Sequence, residues 1–209
     1  MVDKDNIAGL LHNASKKNEF LEESKSSKLG LYLAGITGGA AIVLCAITLP
    51  FVSPAIRKIC LPYVPATDEQ VLNVLRALKG RSGKVIDIGS GDGRIVVAVA
   101  SNKRLHSTGV ELNPWLVWYS KIFSWSKGLS QNTSFIRKDL WKFDLSPFQN
   151  VVIFGVDEMM DDLQKKLVTE LGENSCVIAC RFPLPAWKPV ATFGEGINTV
   201  WLYHKNTLN

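Results

Sequence analysis

Between Val85 and Arg94 the chain reads Val-Ile-Asp-Ile-Gly-Ser-Gly-Asp-Gly-Arg, a β-branched run that gives way to alternating glycines. The run suits a strand, and the residues that follow, Arg94 to Ala100, are apolar and free of breakers, as a helix requires. Between the two, Gly89, Gly91 and Gly93 let the backbone turn sharply and approach a ligand to a distance that a Cβ would prevent. A dinucleotide fingerprint needs GxGxxG, whereas here the glycines run GxGxG and Arg94 holds the sixth place. That spacing favours a nucleoside without a pyrophosphate.

Glu111 follows the first glycine by about the 20 residues expected of an acid that accepts hydrogen bonds from both ribose hydroxyls. The flanking sequence continues the alternation. Strands are predicted at Lys84 to Ile88, Ser107 to Glu111, Thr133 to Arg137, Val151 to Phe154 and Cys176 to Arg181, with a helix from Pro114 to about Lys127. Asn113 caps that helix, and its Trp115, Trp118, Tyr119, Phe123 and Trp125 are expected to pack in the core and wall an adenine, in preference to a second membrane contact. Asp157 is expected to cap a further helix carrying Met160, Leu163 and Leu167 and stopping at Gly172. Thr67 with Gln70 forms a capping box ahead of a helix with Val71, Leu75 and Leu78 on one face. Alternating strands and helices imply an α/β fold with a parallel sheet covered on both faces. At the end, Pro183, Pro185 and Pro189 forbid a helix, and Val190 to Phe193 with Asn198 to Tyr203 read as a terminal β-hairpin.

Ahead of this domain, Leu29 to Leu49 carries no charge. A bilayer core needs about 20 helical residues, so the run is expected to form one transmembrane helix ended by Pro50 and Pro54. Gly35 and Gly39 form a GxxxG, read here as small residues tolerated in lipid. The expected organisation is a polar tail over 1–28, the membrane helix over 29–52, a tether over 53–64 and the catalytic domain over 65–209. The tail mixes lysines with acids and lacks arginine, so composition indicates neither a secretory signal nor an ordinary mitochondrial presequence.

The 24 Lys and Arg against 19 Asp and Glu leave a net charge of +5, which suits an anionic lipid surface or an acidic partner. Basic residues are scattered among acids and no nucleic-acid-binding spacing appears, which argues against nucleic acid. The four cysteines, Cys45, Cys60, Cys176 and Cys180, form no CxxC pair and have no neighbouring histidine, so no metal is expected.

The glycine motif with Glu111 resembles motif I of the class I, Rossmann-like, S-adenosylmethionine-dependent methyltransferases, which implies a mostly parallel seven-stranded sheet with a terminal hairpin. It implies that Asp87, Gly89, Ser90, Gly91, Asp92 and Gly93 hold the methionine part of S-adenosyl-L-methionine, Glu111 the ribose and Asp139 the adenine amino group. The likeness extends further. Leu61-Pro62-Tyr63-Val64-Pro65-Ala66-Thr67, Glu111-Leu112-Asn113-Pro114-Trp115, Asp139-Leu140-Trp141-Lys142, Asn150 to Val156 and Arg181-Phe182-Pro183 with Gly194-Glu195-Gly196 are similar to the small mitochondrial lysine methyltransferase family. Its branches modify the ATP synthase c subunit and the adenine nucleotide translocase. Asn150 to Val156 and Leu61 to Thr67 look closer to the c-subunit branch, whereas Lys138-Asp139-Leu140 and Arg181 to Pro185 also suit the translocase branch. The resemblance implies a single-pass protein of the inner membrane and its cristae that trimethylates a lysine of the c subunit and so supports ATP synthesis.

No catalytic residue is assigned from sequence. Ligands in such sheets sit at the strands' carboxyl ends, so Phe154, Gly155, Arg181 and Trp187 are the expected substrate channel. Rival readings are methylation of a lipid-soluble small molecule, a membrane adaptor that binds the cofactor without transfer, and an oxidoreductase, which the GxGxG spacing disfavours.

Overall fold

The computed structural model describes residues 30–45, 48 and 64–207. The chain divides into two units, Met1–Ser53 and Pro54–Asn209. In the first, α1 runs over residues 30–45 with its residues exposed. Thr37 Oγ1 donates back to the Leu33 carbonyl at 2.8 Å, so its hydroxyl is satisfied within the helix. Among the described residues no helix is long and apolar enough to cross a membrane. The expected transmembrane helix is therefore not borne out for the part described, residues 30–45 and 48, and the remainder of 29–52 lies outside the described residues. The expected polar tail, the helix end at Pro50 and Pro54, and tether residues 53–63 lie outside the described residues.

The second unit is built on a seven-stranded sheet in the order β3-β2-β1-β4-β5-β7-β6. Its strands are β1 (Gly83–Ile88), β2 (Leu105–Glu111), β3 (Thr133–Arg137), β4 (Asn150–Phe154), β5 (Cys176–Cys180), β6 (Ala191–Phe193) and β7 (Val200–His204). The first five pair in parallel, so their carboxyl ends share one edge. Strands β7 and β6 return antiparallel, as the expected hairpin. The order reverses between β1 and β4, and that switch point opens a crevice for ligand at the carboxyl edge.

Neighbouring residues on β1 and β4 serve opposite faces, which is why their runs are apolar without alternation. Ile86, Ile88, Val151 and Ile153 pack with Met160, Leu163 and Leu167 of α5 (Asp157–Glu170). Val85, Val152, Ile178 and both buried cysteines pack with Val74 of α2 (Asp68–Ala77), with its C-cap residue Leu78, and with Ile95 and Val99 of α3 (Arg94–Ala100). Each such side chain, fully buried, contributes about 1.5–3 kcal/mol. The Thr67 capping box opens α2 as expected, with its side chain accepting from the Gln70 amide. The inward face of α2 centres on Val74, with Val71 and Leu75 at its margins. Arg81 locks the amino edge of the sheet by donating to Asn150 Oδ1 at 2.8 Å and to the Asn174 carbonyl at 2.9 Å.

Two local expectations need correction. Asp157 is the first residue of α5 and Val156 holds the cap position, with no side-chain cap. Asp157 and Glu158 instead place negative charge in the first turn, where it complements the helix dipole. The second correction concerns α4 (Pro114–Ser126), which buries Leu116, Val117, Ser120 and Ser124 and turns its aromatic side outward. Trp118 is 60% and Trp125 74% exposed. The inner face lies against the glycine loop, where Ser120 Cβ stands so near Gly93 that a larger side chain has no room.

Candidate cofactor site

Asp87 sits near the carboxyl end of β1, 2% exposed, and its Oδ1 has no hydrogen-bond partner. Burial pushes its carboxyl up to about 8, and the charges of Glu111 and then Asp92 add to the shift. The loop that follows is tied to β2: the amides of Gly89 and Ser90 donate to the Val110 carbonyl at 2.8 and 3.0 Å. Gly89 has φ +78°, and a Cβ built there meets no protein atom within 4 Å, so its outer side is open to a ligand. Ser90 is buried with an unpartnered hydroxyl.

Glu111 ends β2 and fixes the loop from the other side. Its Oε2 accepts from the Gly91 amide at 3.1 Å and its Oε1 from the Asn113 amide at 2.8 Å. From α4, the single hydroxyl proton of Ser120 is shared between the Gly91 carbonyl, 3.1 Å away, and the Leu116 carbonyl of its own helix, 2.8 Å away. Sequence reasoning missed that anchor, because the helix is apolar on both sides and its buried face is not marked by periodicity. Asp92 faces Arg94, accepting from its Nε at 2.9 Å and its Nη2 at 2.7 Å. Asp139 follows β3 and is half-buried, with Oδ1 accepting from the Trp141 amide at 3.0 Å.

Parallel pairing brings these residues to one edge: Ile88 lies opposite Val110 and Ile153, and Glu111 opposite Arg137. Of the expected channel residues, Phe154, Gly155 and Arg181 lie along the same edge at the ends of β4 and β5, and Trp187 does not. Phe154 is half-buried and Gly155 buried against the Met159 and Met160 sulfurs. Arg181 leaves β5 with φ 72°, a rare conformation for a side chain with a Cβ, and its guanidinium lies over the Phe182 ring at 5.9 Å. Trp187 is buried in the core against Tyr203, its ring centre 5.7 Å away and its Nε1 unpartnered. A separate cavity of about 300 Å³ lies between α2 and α4, lined by Asp68, Val71, Asp92, Arg94, Tyr119 and Phe123. It includes neither Glu111 nor Asp87, so it adjoins the loop's flank.

An open glycine turn, an orphaned buried carboxyl and a downstream carboxylate form a cradle that fits a nucleoside carrying a cationic tail. Comparisons decide which. Residues 87–191 match the family model described as the ANTKMT methyltransferase domain, and residues 25–57 match that of the ATP synthase c-subunit lysine N-methyltransferase N-terminal domain. The chain is 55% identical over 179 residues to the ATP synthase c-subunit lysine N-methyltransferase of Xenopus laevis, covering 86% of this chain and 79% of that protein. The chain belongs to the ATP synthase c-subunit lysine N-methyltransferase family.

The Homo sapiens member is 51% identical over 183 residues, covering 88% of this chain and 78% of that protein. The adenine nucleotide translocase lysine N-methyltransferase of Mus musculus is 40% identical over 190 residues, covering 88% and 83%. Among solved structures, an RNA methyltransferase from Salinibacter ruber in complex with S-adenosyl-L-homocysteine aligns with TM-score 0.62 and 25% identity, over 68% of this chain and 93% of that one. The fold is that of the class I methyltransferases, and the chain is an S-adenosylmethionine-dependent lysine N-methyltransferase.

Proposed function

We propose that this chain methylates the side-chain amine of a lysine in the ATP synthase c subunit to the trimethyl state, at the mitochondrial inner membrane and in support of ATP synthesis. One observation carries the substrate choice: both the N-terminal match at residues 25–57 and the higher identities belong to the c-subunit enzymes, at 55% and 51% against 40% for the translocase enzyme. The translocase is the second reading, favoured by the match of residues 87–191 to the translocase-enzyme domain.

A proteolipid substrate requires an enzyme held at its membrane. The uncharged run Leu29 to Leu49 supports the reading of a single-pass anchor, and the internal hydrogen bonds of Thr37 and Thr48 leave their hydroxyls fit for lipid.

S-adenosylmethionine supplies a methyl group already activated on a sulfonium. Asp87 and the open side of Gly89 receive the cationic tail, Glu111 accepts from the ribose hydroxyls, and the unused Oδ2 of Asp139 accepts from the adenine amine. A lysine amine with pKa near 10.4 is neutral in only about one of a few thousand molecules at pH 7. Phe154, Gly155 and Phe182 offer an apolar entrance whose burial lowers that pKa, and Asp157 with Glu158 draws in the incoming ammonium. Alignment and desolvation are thus the protein's contributions.

The test gives purified full-length enzyme, intact and as Glu111→Ala, labelled cofactor and unmodified mitochondrial membranes. Glu111-dependent label in a very small proteolipid is the expected result. Label in a larger carrier selects the translocase, and label in extractable lipid overturns protein methylation.

A further inference from the structure

Helix α4 is apolar on two opposite sides, and the fold covers one of them. Leu116, Val117, Ser120 and Ser124 face inward, while Trp115, Trp118, Tyr119, Ile122 and Trp125 form a contiguous outward face, each at least 39% exposed. Projected at 100° per residue, the outward set occupies one arc opposite the buried residues, with Lys121 at its margin beside Trp118 and Trp125. Single exposed apolar residues are ordinary, but a contiguous patch of large ones marks an interaction surface.

Charge and side-chain chemistry identify the occupant. From Leu112 to Lys138 the chain contains no Asp or Glu, while Lys121, Lys127, Arg137 and Lys138 fall within it. In a chain with 19 acids among 209 residues, an acid-free stretch of 27 around this helix leaves the patch with no acid of its own sequence. The apolar members are chiefly Trp and Tyr, whose rings carry a polar handle and favour the headgroup level of a bilayer. A lysine beside such a belt, here Lys121, is drawn to an anionic surface. The linkage to the apolar run adds a distance limit: the 18 residues from Pro50 to Thr67 reach at most roughly 60 Å even when fully extended.

We infer that the outward aromatic face of α4 docks on an anionic lipid surface, which gives the catalytic unit a second membrane contact besides the apolar N-terminal run. Trp118 and Trp125 enter the headgroup layer, and Lys121 pairs with lipid phosphates. α4 also meets the cofactor loop through Ser120, and its cap residue Asn113 donates to Glu111, so docking sets the loop's height and orientation relative to a lysine near the membrane surface. The inference rests on the reading of Leu29 to Leu49 as an anchor only for its distance limit, and the experiment separates the two.

Full-length protein is mixed with vesicles of phosphatidylcholine alone, or of phosphatidylcholine with phosphatidylglycerol. Flotation reports anchoring, and quenching of tryptophan fluorescence by lipid brominated near the headgroup reports docking. The expected result is flotation with both compositions and strong bromolipid quenching only with the anionic one. Lys121→Glu lowers that quenching several-fold, flotation persists, and calorimetric binding of S-adenosylhomocysteine remains as proof of folding. Flotation with tryptophans open to aqueous iodide and untouched by bromolipid overturns the α4 inference and leaves the anchor standing. Flotation and quenching confined to anionic vesicles supports the inference and overturns the anchor. Failure to float with either composition overturns both. Protection from iodide that requires added proteolipid substrate overturns lipid in favour of a protein partner.

Discussion

Glu111 holds Gly91 by a hydrogen bond across 20 residues of sequence, its Oε2 accepting from the Gly91 amide at 3.1 Å. The same carboxylate turns Oε1 to the Asn113 amide, the residue that caps α4. One side chain thus joins the glycine loop to the second strand and the second strand to the helix behind it.

Removing that carboxylate has two separable effects. Hydrogen bonds to a charged group contribute about 1.5–3 kcal/mol each, so loss of the ribose contact in Glu111→Ala weakens S-adenosylhomocysteine binding by about 10- to 100-fold. Glu111→Gln keeps an acceptor for one amide and loses the charge, so it retains more thermal stability than the alanine variant while binding weakly. Calorimetry alongside thermal unfolding measures both.

Asp87 makes stability and cofactor affinity depend on pH in opposite senses. Its carboxyl stands at about 8 in the fold against 3.8 ordinarily. Because the folded state holds the proton that the unfolded state releases, this group's stabilisation is complete below about pH 4 and is lost as pH rises through 8. The expected slope from this group is up to about 1.4 kcal/mol per pH unit within that window, and Asp87→Asn removes it. A cationic cofactor tail favours the ionised form, so S-adenosylhomocysteine binding tightens from pH 6 to 8 with proton release. Calorimetry in buffers of different ionisation heat detects the proton, and equal heats in all buffers exclude the mechanism.

Much of this was legible beforehand because local signals and tertiary demands agree. Arg94–Ala100 begins and ends where the sequence places it, since Gly93 cannot extend the helix backward at φ +79°. Cys176 and Cys180 share a face because a strand repeats every second residue, and both lie in the α2 side of the core. Helix α4 defeated the same reasoning. Its apolar residues surround the whole helix, so periodicity could not say which side faces in, and the answer came from size. Ser120 and Ser124 go inward because the helix runs close to Gly93 and because Ser124 Oγ and Thr133 Oγ1 meet at 2.6 Å. The Asp157 cap failed for a different reason: an acid next to a helix start suits the cap and the first turn equally.

Asp139 offers a specificity test. With Oδ1 engaged by the Trp141 amide, Oδ2 is the atom left to accept from an adenine amine. The enzyme is expected to prefer adenosyl over inosyl homocysteine, in which a carbonyl replaces that amine, by about tenfold or more. Asp139→Ala erases the preference, which competition calorimetry reads directly, and an unchanged preference removes Asp139 from the adenine site.

The last prediction separates a packing glycine from a ligand-facing one. At Gly93 a Cβ would lie 2.8 Å from Ser120 Cβ and from the Phe135 ring, with φ +79°. Gly93→Ala therefore carries a backbone cost of about 1–2 kcal/mol and an overpacking cost of about 1–3 kcal/mol. For a domain of this size each kcal/mol lowers the melting temperature by about 2–4 °C. Adding Ser120→Gly removes part of the clash but none of the backbone strain, so the double variant recovers some of the loss and stays below the parent. At Gly89, where a Cβ meets nothing, alanine costs only the backbone part in the free protein. Its larger penalty appears on binding, because the new methyl stands where the cofactor approaches. Melting curves with and without S-adenosylhomocysteine distinguish the two: the ligand's stabilising shift shrinks in Gly89→Ala by more than in Gly93→Ala, and the reverse order would mean that the loop's open side is not the binding side.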